Sequence, residues 1–276
     1  METPFVFGKV ASDRNFTDRK QETERLVQNF SSGVNTILIS PRRWGKTSLV
    51  VYAADLAKKK NKDIRFCFVD LNNVRTEEQF YRYFAAAVLR SSANRVSELL
   101  DNARKFLGRF IPNVTFSPGP DSEFRLSMNW EEVKRSPEDV LNFAERIGSE
   151  KKIRIIVCID EFQNISGFDD PAGFQKKLRA QWQTHRMASY CIYGSKRHML
   201  MDVFASPSMP FYKFGDILFL EKISANDWIS FIRKRFAQTG KTIESKDAAL
   251  IAEITECHPY YVQQLAQLAW FRTEKI

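Results

Sequence analysis

The chain has 276 residues, 43% of them hydrophobic, and a formal net charge of +9 at pH 7. That is enough apolar material for a large core, as one α/β domain or a main domain with a smaller appendage, while apolar runs no longer than strands exclude a membrane-spanning helix. The four cysteines and three histidines lack metal-ligand spacing, which argues against a zinc site.

In chain order, the start METPFVFGKV lacks the basic region and apolar core of a secretion signal, and Phe5 to Val10 reads as a short apolar lead-in. A helix is expected over Asp13 to Asn29, then a strand over Val34 to Ser40. A helix from Lys46 to about Lys59 and a strand from Ile64 to Asp70 follow. Thr76 caps a helix to Leu89, and another covers Asn94 to Phe110. Val114 to Phe116 and Phe124 to Met128 alternate apolar and polar residues around Pro118, Gly119 and Pro120, which predicts a β-hairpin projecting from the main sheet. A helix over Pro137 to Ser149 has Ser136 as its cap. Ile153 to Asp160 is a third main strand, followed by a helix over Gly173 to His185 and strands at Ser189 to Tyr193 and Ile217 to Leu220. Helices at Ala225 to Ala237, Ser245 to Thr255 and Pro259 to Arg272 close the chain. Strands alternating with helices imply a mostly parallel sheet with right-handed crossovers. Cys67, Cys158 and Cys191 fall in the strands and read as small core residues of a reducing cytoplasm.

Two segments carry chemistry. In ILISPRRWGKTSL, a strand runs into Ser40, Pro41, Arg42, Arg43, Trp44, Gly45, Lys46, Thr47 and Ser48. This is a phosphate-binding loop in which backbone N–H groups face an anion, Lys46 reaches the phosphates and the Thr47 hydroxyl ligates Mg²⁺. Ser40 stands where the GxxxxGK[ST] pattern has its first glycine, so the turn must form without glycine's freedom at positive φ. In IRIIVCIDEFQ, a fully apolar strand ends on Asp160 and Glu161. A carboxylate at the carboxyl end of such a strand lies where open α/β sheets bind ligands, so Asp160 is placed to hold Mg²⁺ and Glu161 to face an attacking water.

The succession FTDRKQE, SPRRWGKTSL, CIDEFQ, YGSKRHML, PFY and HPYYVQQL resembles the prokaryotic, archaeal-type AAA P-loop ATPases of the STAND class, over nearly the whole chain. The resemblance implies an ASCE-type parallel sheet in the order 5-1-4-3-2 followed by a small helical lid. The expected division is a core over 1–222, with an inserted helical and hairpin region at about 74–150, and a lid over 223–276. The winged helix that usually follows the lid is expected either to be absent or to lie beyond a sequence that stops at Ile276.

Carried onto this sequence, the resemblance makes Glu161 and Lys46 catalytic, Thr47 and Asp160 the Mg²⁺ ligands and Ser195 (or Lys196) a polar sensor of the terminal phosphate. Arg197 approaches the phosphates in cis or faces a self-associated neighbour as an arginine finger. One of Arg42 and Arg43 touches phosphate. Phe16 and Arg19 contact adenine, and His258 and Pro259 tie the lid to the base, whereas Tyr260, Tyr261, Leu265, Leu268 and Trp270 read as lid core. The expected cofactors are ATP or ADP and Mg²⁺, and the expected activity is an ATPase acting as a switch for a partner. The basic surface also admits a DNA or protein partner, and the alternative is a nucleotide-stabilised DNA-binding module with little hydrolysis. No guanine-reading NKxD segment and no phosphoacceptor pocket signature of a small-molecule kinase occur in the sequence.

Overall fold

A computed structural model describes residues 3–11, 16–93, 95–108, 113–117 and 123–274. Five strands form the main sheet: β1 (Thr36–Ile39), β2 (Ile64–Asp70), β5 (Arg154–Asp160), β6 (Ala188–Gly194) and β7 (Asp216–Phe219). Their order is β2-β5-β6-β1-β7 with all pairings parallel, which is the expected 5-1-4-3-2 order counted over the five sheet strands. A second, two-stranded antiparallel sheet pairs β3 (Asn113–Ser117) with β4 (Glu123–Ser127). The expected hairpin is therefore present, and its Pro118, Gly119, Pro120 turn lies outside the described residues.

The sequence pattern explains the layering. β1 and β6 are buried along their whole length and β5 at all but its two ends, because helices cover both faces, whereas the edge strands β2 and β7 are only partly buried. On one face lie α1 (Lys20–Ser32) and α2 (Lys46–Lys60), with Leu26, Phe30, Leu49, Val50 and Ala53 packed on Leu38, Ile156 and Cys191. The other face is covered by α3 (Glu77–Ser92), α4 (Val96–Leu107), α5 (Trp130–Arg135), α6 (Pro137–Leu141), α7 (Phe143–Lys151), α8 (Pro171–Trp182) and α9 (Arg197–Phe204). Cys67, Cys158 and Cys191 are buried free thiols, and burial pushes Cys158 well above its ordinary value.

Three helices, α10 (Ala225–Ala237), α11 (Ser245–Ile254) and α12 (Pro259–Arg272), share a separate core of Trp228, Ile232, Phe236, Ile251, Val262 and Trp270. Phe5 is buried in that same core, and Arg235, itself buried, donates through Nε at 2.6 Å to the carbonyl of Pro4. The lead-in segment is thus held by the lid and is not a strand of the sheet.

Several expectations are corrected. The first helix begins at Lys20, because Asp18 and Arg19 both take left-handed backbone angles, which a helix does not tolerate. Pro137 to Ser149 is not one helix: the chain breaks at Asn142 into α6 and α7, and Ser136 makes no side-chain cap bond. Thr76 does cap α3, accepting from Gln79 N at 3.2 Å. Tyr261 and Leu268 are 49% and 54% exposed, since Val262, Ala266 and Trp270 take the inner face of α12 at spacings of four. Among the described residues, no helix is long and apolar enough to cross a membrane.

Candidate nucleotide site

The carboxyl ends of three neighbouring strands, β1, β6 and β5, bring the two chemical segments together. After β1 the chain turns through Ser40 and Pro41 into the loop. Ser40 is not at positive φ; its buried hydroxyl donates to the Pro41 carbonyl at 2.9 Å, so the missing first glycine is not needed. Left-handed angles occur instead at Arg43 (φ 63°) and Gly45 (φ 86°), on either side of Trp44. A Cβ on Gly45 would meet no protein atom within 4 Å, so only its backbone angle calls for glycine, and the loop there faces an open cleft. α2 starts directly afterwards, with Lys58, Lys59 and Lys60 in its last turn complementing its dipole.

Lys46, buried under the loop, places Nζ 3.0 Å from Glu161 Oε1 and 4.0 Å from Asp160 Oδ1. The Thr47 hydroxyl donates to Asp160 Oδ2 at 2.8 Å. Glu161 sits at φ 52°, a left-handed position that costs a non-glycine residue on the order of 1 kcal/mol, and its own N–H donates to Asp160 Oδ1 at 2.8 Å. The turn sends the chain into a 3₁₀ segment, Phe162–Gly167, and leaves the Glu161 carboxylate facing the loop. There it accepts from Ser195 Oγ at 3.0 Å and from Gln163 Nε2.

The two neighbouring carboxyls diverge in acidity. Burial pushes Asp160 up, only partly offset by Lys46 and the Thr47 hydrogen bond. Burial also acts on Glu161, but Lys46 and the hydrogen bonds from Lys46, Gln163 and Ser195 outweigh it and hold Glu161 below the usual range.

Beside the loop lies a cleft of about 550 Å³, lined by the Val6–Ala11 segment, Phe16, Arg19, residues 43–48, Pro259, Tyr260 and Gln263. Its size falls within the common range for ligand pockets. The Val6 N–H donates to Gln263 Oε1 at 3.0 Å and the Ala11 N–H to Ser48 Oγ at 2.9 Å, so the lead-in segment runs from lid to loop. Phe16 stacks on Tyr52 at 4.5 Å, in a stretch before the helix where it was expected. Arg19 donates to Glu22 at 3.0 Å and to the Glu221 carbonyl, and its buried Nη2 has no partner among the described residues.

Other expected site residues are placed differently from one another. Pro259 is at the cleft, but His258 lines a neighbouring one, with its ring edge-on to Trp44 at 6.5 Å. Burial lowers the His258 pKa, helped by the charges of Arg43 and Lys222. Arg43 lies 4.5 Å over the Tyr260 ring, and Arg42 Nε is 3.5 Å from Ser195 Oγ. Arg197 lies 5.0 Å over Phe219, on the edge strand β7.

The sequence reading missed Gln163 and Tyr260. Gln163 stands two places beyond Glu161 in a segment already singled out. It is 1% exposed, packed so closely on Gly194 that a Cβ there would lie 2.0 Å from its Oε1. Tyr260 was assigned to the lid core because aromatic residues at helical spacing usually are; instead it meets Arg43 and, at 5.5 Å, Phe7.

No family model matches the chain, and no curated protein matches it in sequence. Solved structures do. A Walker-type ATPase of Pyrococcus abyssi superposes with a TM-score of 0.68 at 16% identity, covering 98% of this chain and 72% of that one. The ORC2 protein of Aeropyrum pernix, solved in ADPNP-ADP complexes, gives 0.58 at 13%, covering 93% and 64%. The ORC1 protein of the same organism, solved with DNA, gives 0.59 at 14%, covering 98% and 65%. The chain thus spans about two thirds to three quarters of the length of these structures. At these identities the likeness concerns the fold, and the fold is that of the ORC/Cdc6-like ASCE P-loop ATPases.

Proposed function

We propose that the chain is a Mg²⁺-dependent ATPase whose nucleotide state sets the relation between the sheet and the lid, acting as a switch for a partner. The observation that carries this is the meeting of Lys46 with Glu161 at 3.0 Å and of Thr47 with Asp160 at 2.8 Å, across more than a hundred residues of sequence. The residues present fit the cofactors. Thr47 and Asp160 already face one another as the two protein ligands of a hydrated Mg²⁺ would, and that cation would stabilise an Asp160 carboxylate which burial disfavours. Held there by Thr47 and Asp160, Mg²⁺ would supply positive charge against the charge that develops on the phosphates. The curled loop and the start of α2 supply backbone N–H groups and a positive dipole end for the phosphates.

The chain's own residues divide the remaining tasks. Lys46 holds phosphate oxygens as an ammonium point charge. Glu161, kept ionised by its surroundings, accepts a hydrogen bond from water and aligns it for attack. Ser195 and Gln163 fix the orientation of that carboxylate. At the base end, Phe16, Pro259 and Tyr260 offer apolar surface, and the unpartnered Arg19 Nη2 suits a purine ring nitrogen. The choice of adenine, the STAND class and the core and lid boundaries rest on the motif resemblance, and the cytoplasmic location on the cysteines within apolar strands. Arg197, at the start of α9 and 5.0 Å over Phe219, keeps both readings, toward the phosphates in cis or toward a second copy of the chain.

The net charge of +9 and the DNA-bound ORC1 neighbour favour one second reading, a nucleotide-held DNA-binding module. It predicts DNA affinity that falls steeply with salt and no turnover. The deciding experiment measures MgATP hydrolysis and binding side by side for wild type and Glu161→Gln. Turnover in wild type, reduced on the order of 10²-fold in the variant with binding kept, supports the ATPase. Tight binding without turnover, with DNA present or absent, overturns it in favour of the second reading.

A further inference from the structure

The phosphate loop carries two adjacent arginines, and its backbone sends them to opposite sides. Arg43 takes a left-handed angle and lays its guanidinium on Tyr260 of the lid. Arg42, exposed to solvent, turns toward the end of β6, where its Nε lies 3.5 Å from Ser195 Oγ. Ser195 donates at 3.0 Å to Glu161 Oε2, while Glu161 Oε1 accepts from Lys46 at 3.0 Å. A chain of contacts therefore leaves the loop at Arg42, passes Ser195 and Glu161, and returns to the loop at Lys46.

We propose that Arg42 reads the terminal phosphate of a bound nucleoside triphosphate and supplies, from the loop itself, the cationic contact that distinguishes triphosphate from diphosphate. The inference rests on the nucleotide reading above. Lys46 is shared between Glu161 and Asp160, so one ammonium faces two carboxylates, and a guanidinium beside it adds positive charge where the terminal phosphoryl carries its own. A guanidinium is suited to that place because its planar fork matches phosphate oxygens and it is weakly hydrated. Arg43 is spent on the lid and Arg197 on Phe219, which leaves Arg42 as the arginine brought to Ser195. Through Ser195 the same guanidinium is tied to the carboxylate that orients water, so occupancy of the terminal phosphate position is felt at Glu161 without a second subunit.

The test is calorimetric binding of MgADP and of a magnesium complex of a non-hydrolysable ATP analogue to wild type, Arg42→Ala, Arg42→Lys and Arg43→Ala. Because Arg42 is exposed, its truncation does not threaten the fold. The expected result is that Arg42→Ala weakens the triphosphate analogue about 10- to 100-fold, the size of a lost charge-assisted hydrogen bond, and leaves MgADP within about twofold. Arg42→Lys recovers part of the loss, and Arg43→Ala weakens both ligands alike. Equal loss of both ligands in Arg42→Ala, no loss of either, or a triphosphate-selective loss in Arg43→Ala instead overturns the inference while leaving the nucleotide site intact. Failure of wild type to bind either ligand overturns the nucleotide reading and the inference with it.

Discussion

The two ends of the candidate site are built by different means. At the sheet, Lys46, Thr47, Asp160, Glu161 and Ser195 are joined by contacts of 2.8–3.0 Å at the ends of adjacent buried strands. At the lid, the loop is met by rings: Trp44 on His258 and Arg43 on Tyr260, with the lead-in segment strapped between them. Directional hydrogen bonds on a rigid sheet preset the phosphate end, whereas aromatic and cation–π contacts tolerate sliding and suit an element that changes position. Under the proposed function, the chemistry falls to the sheet and the response to the lid.

The largest expected effect falls on the sheet side. Lys46→Ala removes the cation shared by two carboxylates, and nucleotide affinity should fall on the order of 10³-fold by calorimetry; retained affinity would break the comparison at its firmest point. On the lid side, Phe5→Ala empties a fully enclosed ring position among Phe231, Phe236 and Trp228. It should cost about 3 kcal/mol, seen as earlier proteolysis of α10–α12 while the sheet stays protected. Uniform loss of protection across both regions would show that they do not open separately.

A smaller effect probes orientation within the sheet side. Gly194→Ala pushes Gln163 away from Glu161, and turnover should drop about tenfold with nucleotide affinity unchanged. An equal change in affinity would instead make Gln163 part of the binding surface.

The smallest effect lies away from both ends. His185 bonds Tyr190 and Asn142 and is pushed by burial down to about 4. The unfolded chain then binds a proton that the folded one refuses between its ordinary value of 6.5 and about 4, so stability falls as pH drops through that window. From pH 6.5 to 5.5 the loss should be about 1 kcal/mol by denaturant unfolding, and His185→Gln should flatten it. An unchanged slope in the variant would remove His185 from the account.

Much of the sheet side was legible in sequence, and on the lid side the three helices were, Ala225–Ala237 and Pro259–Arg272 at both ends, but not their contacts with the loop and the lead-in segment. GKT and the adjacent Asp160 and Glu161 are local signals, since strand ends and the residues just after them are set by short-range pattern. Ser195, or Lys196 beside it, came from the motif resemblance, and of the two it is Ser195 that meets Glu161. The partition of Arg42 from Arg43 depends on a left-handed angle at Arg43, a non-glycine residue that gives no sequence sign of it. The start of α1 was misplaced for the same reason, at Asp18 and Arg19. Phe5 joins the lid across more than two hundred residues, and the buried Arg235 meets the carbonyl of Pro4 from the far end of the chain. Such contacts are tertiary, and periodicity within one helix does not contain them.

Hydrogen exchange with and without the magnesium complex of a non-hydrolysable ATP analogue tests the central claim most directly. The account predicts slower exchange both at the loop and start of α2, residues 43–50, and at the start of α12, residues 259–263, because the cleft is lined from both. Protection confined to residues 43–50, with the lid unchanged, would contradict a site that couples the nucleotide to the lid.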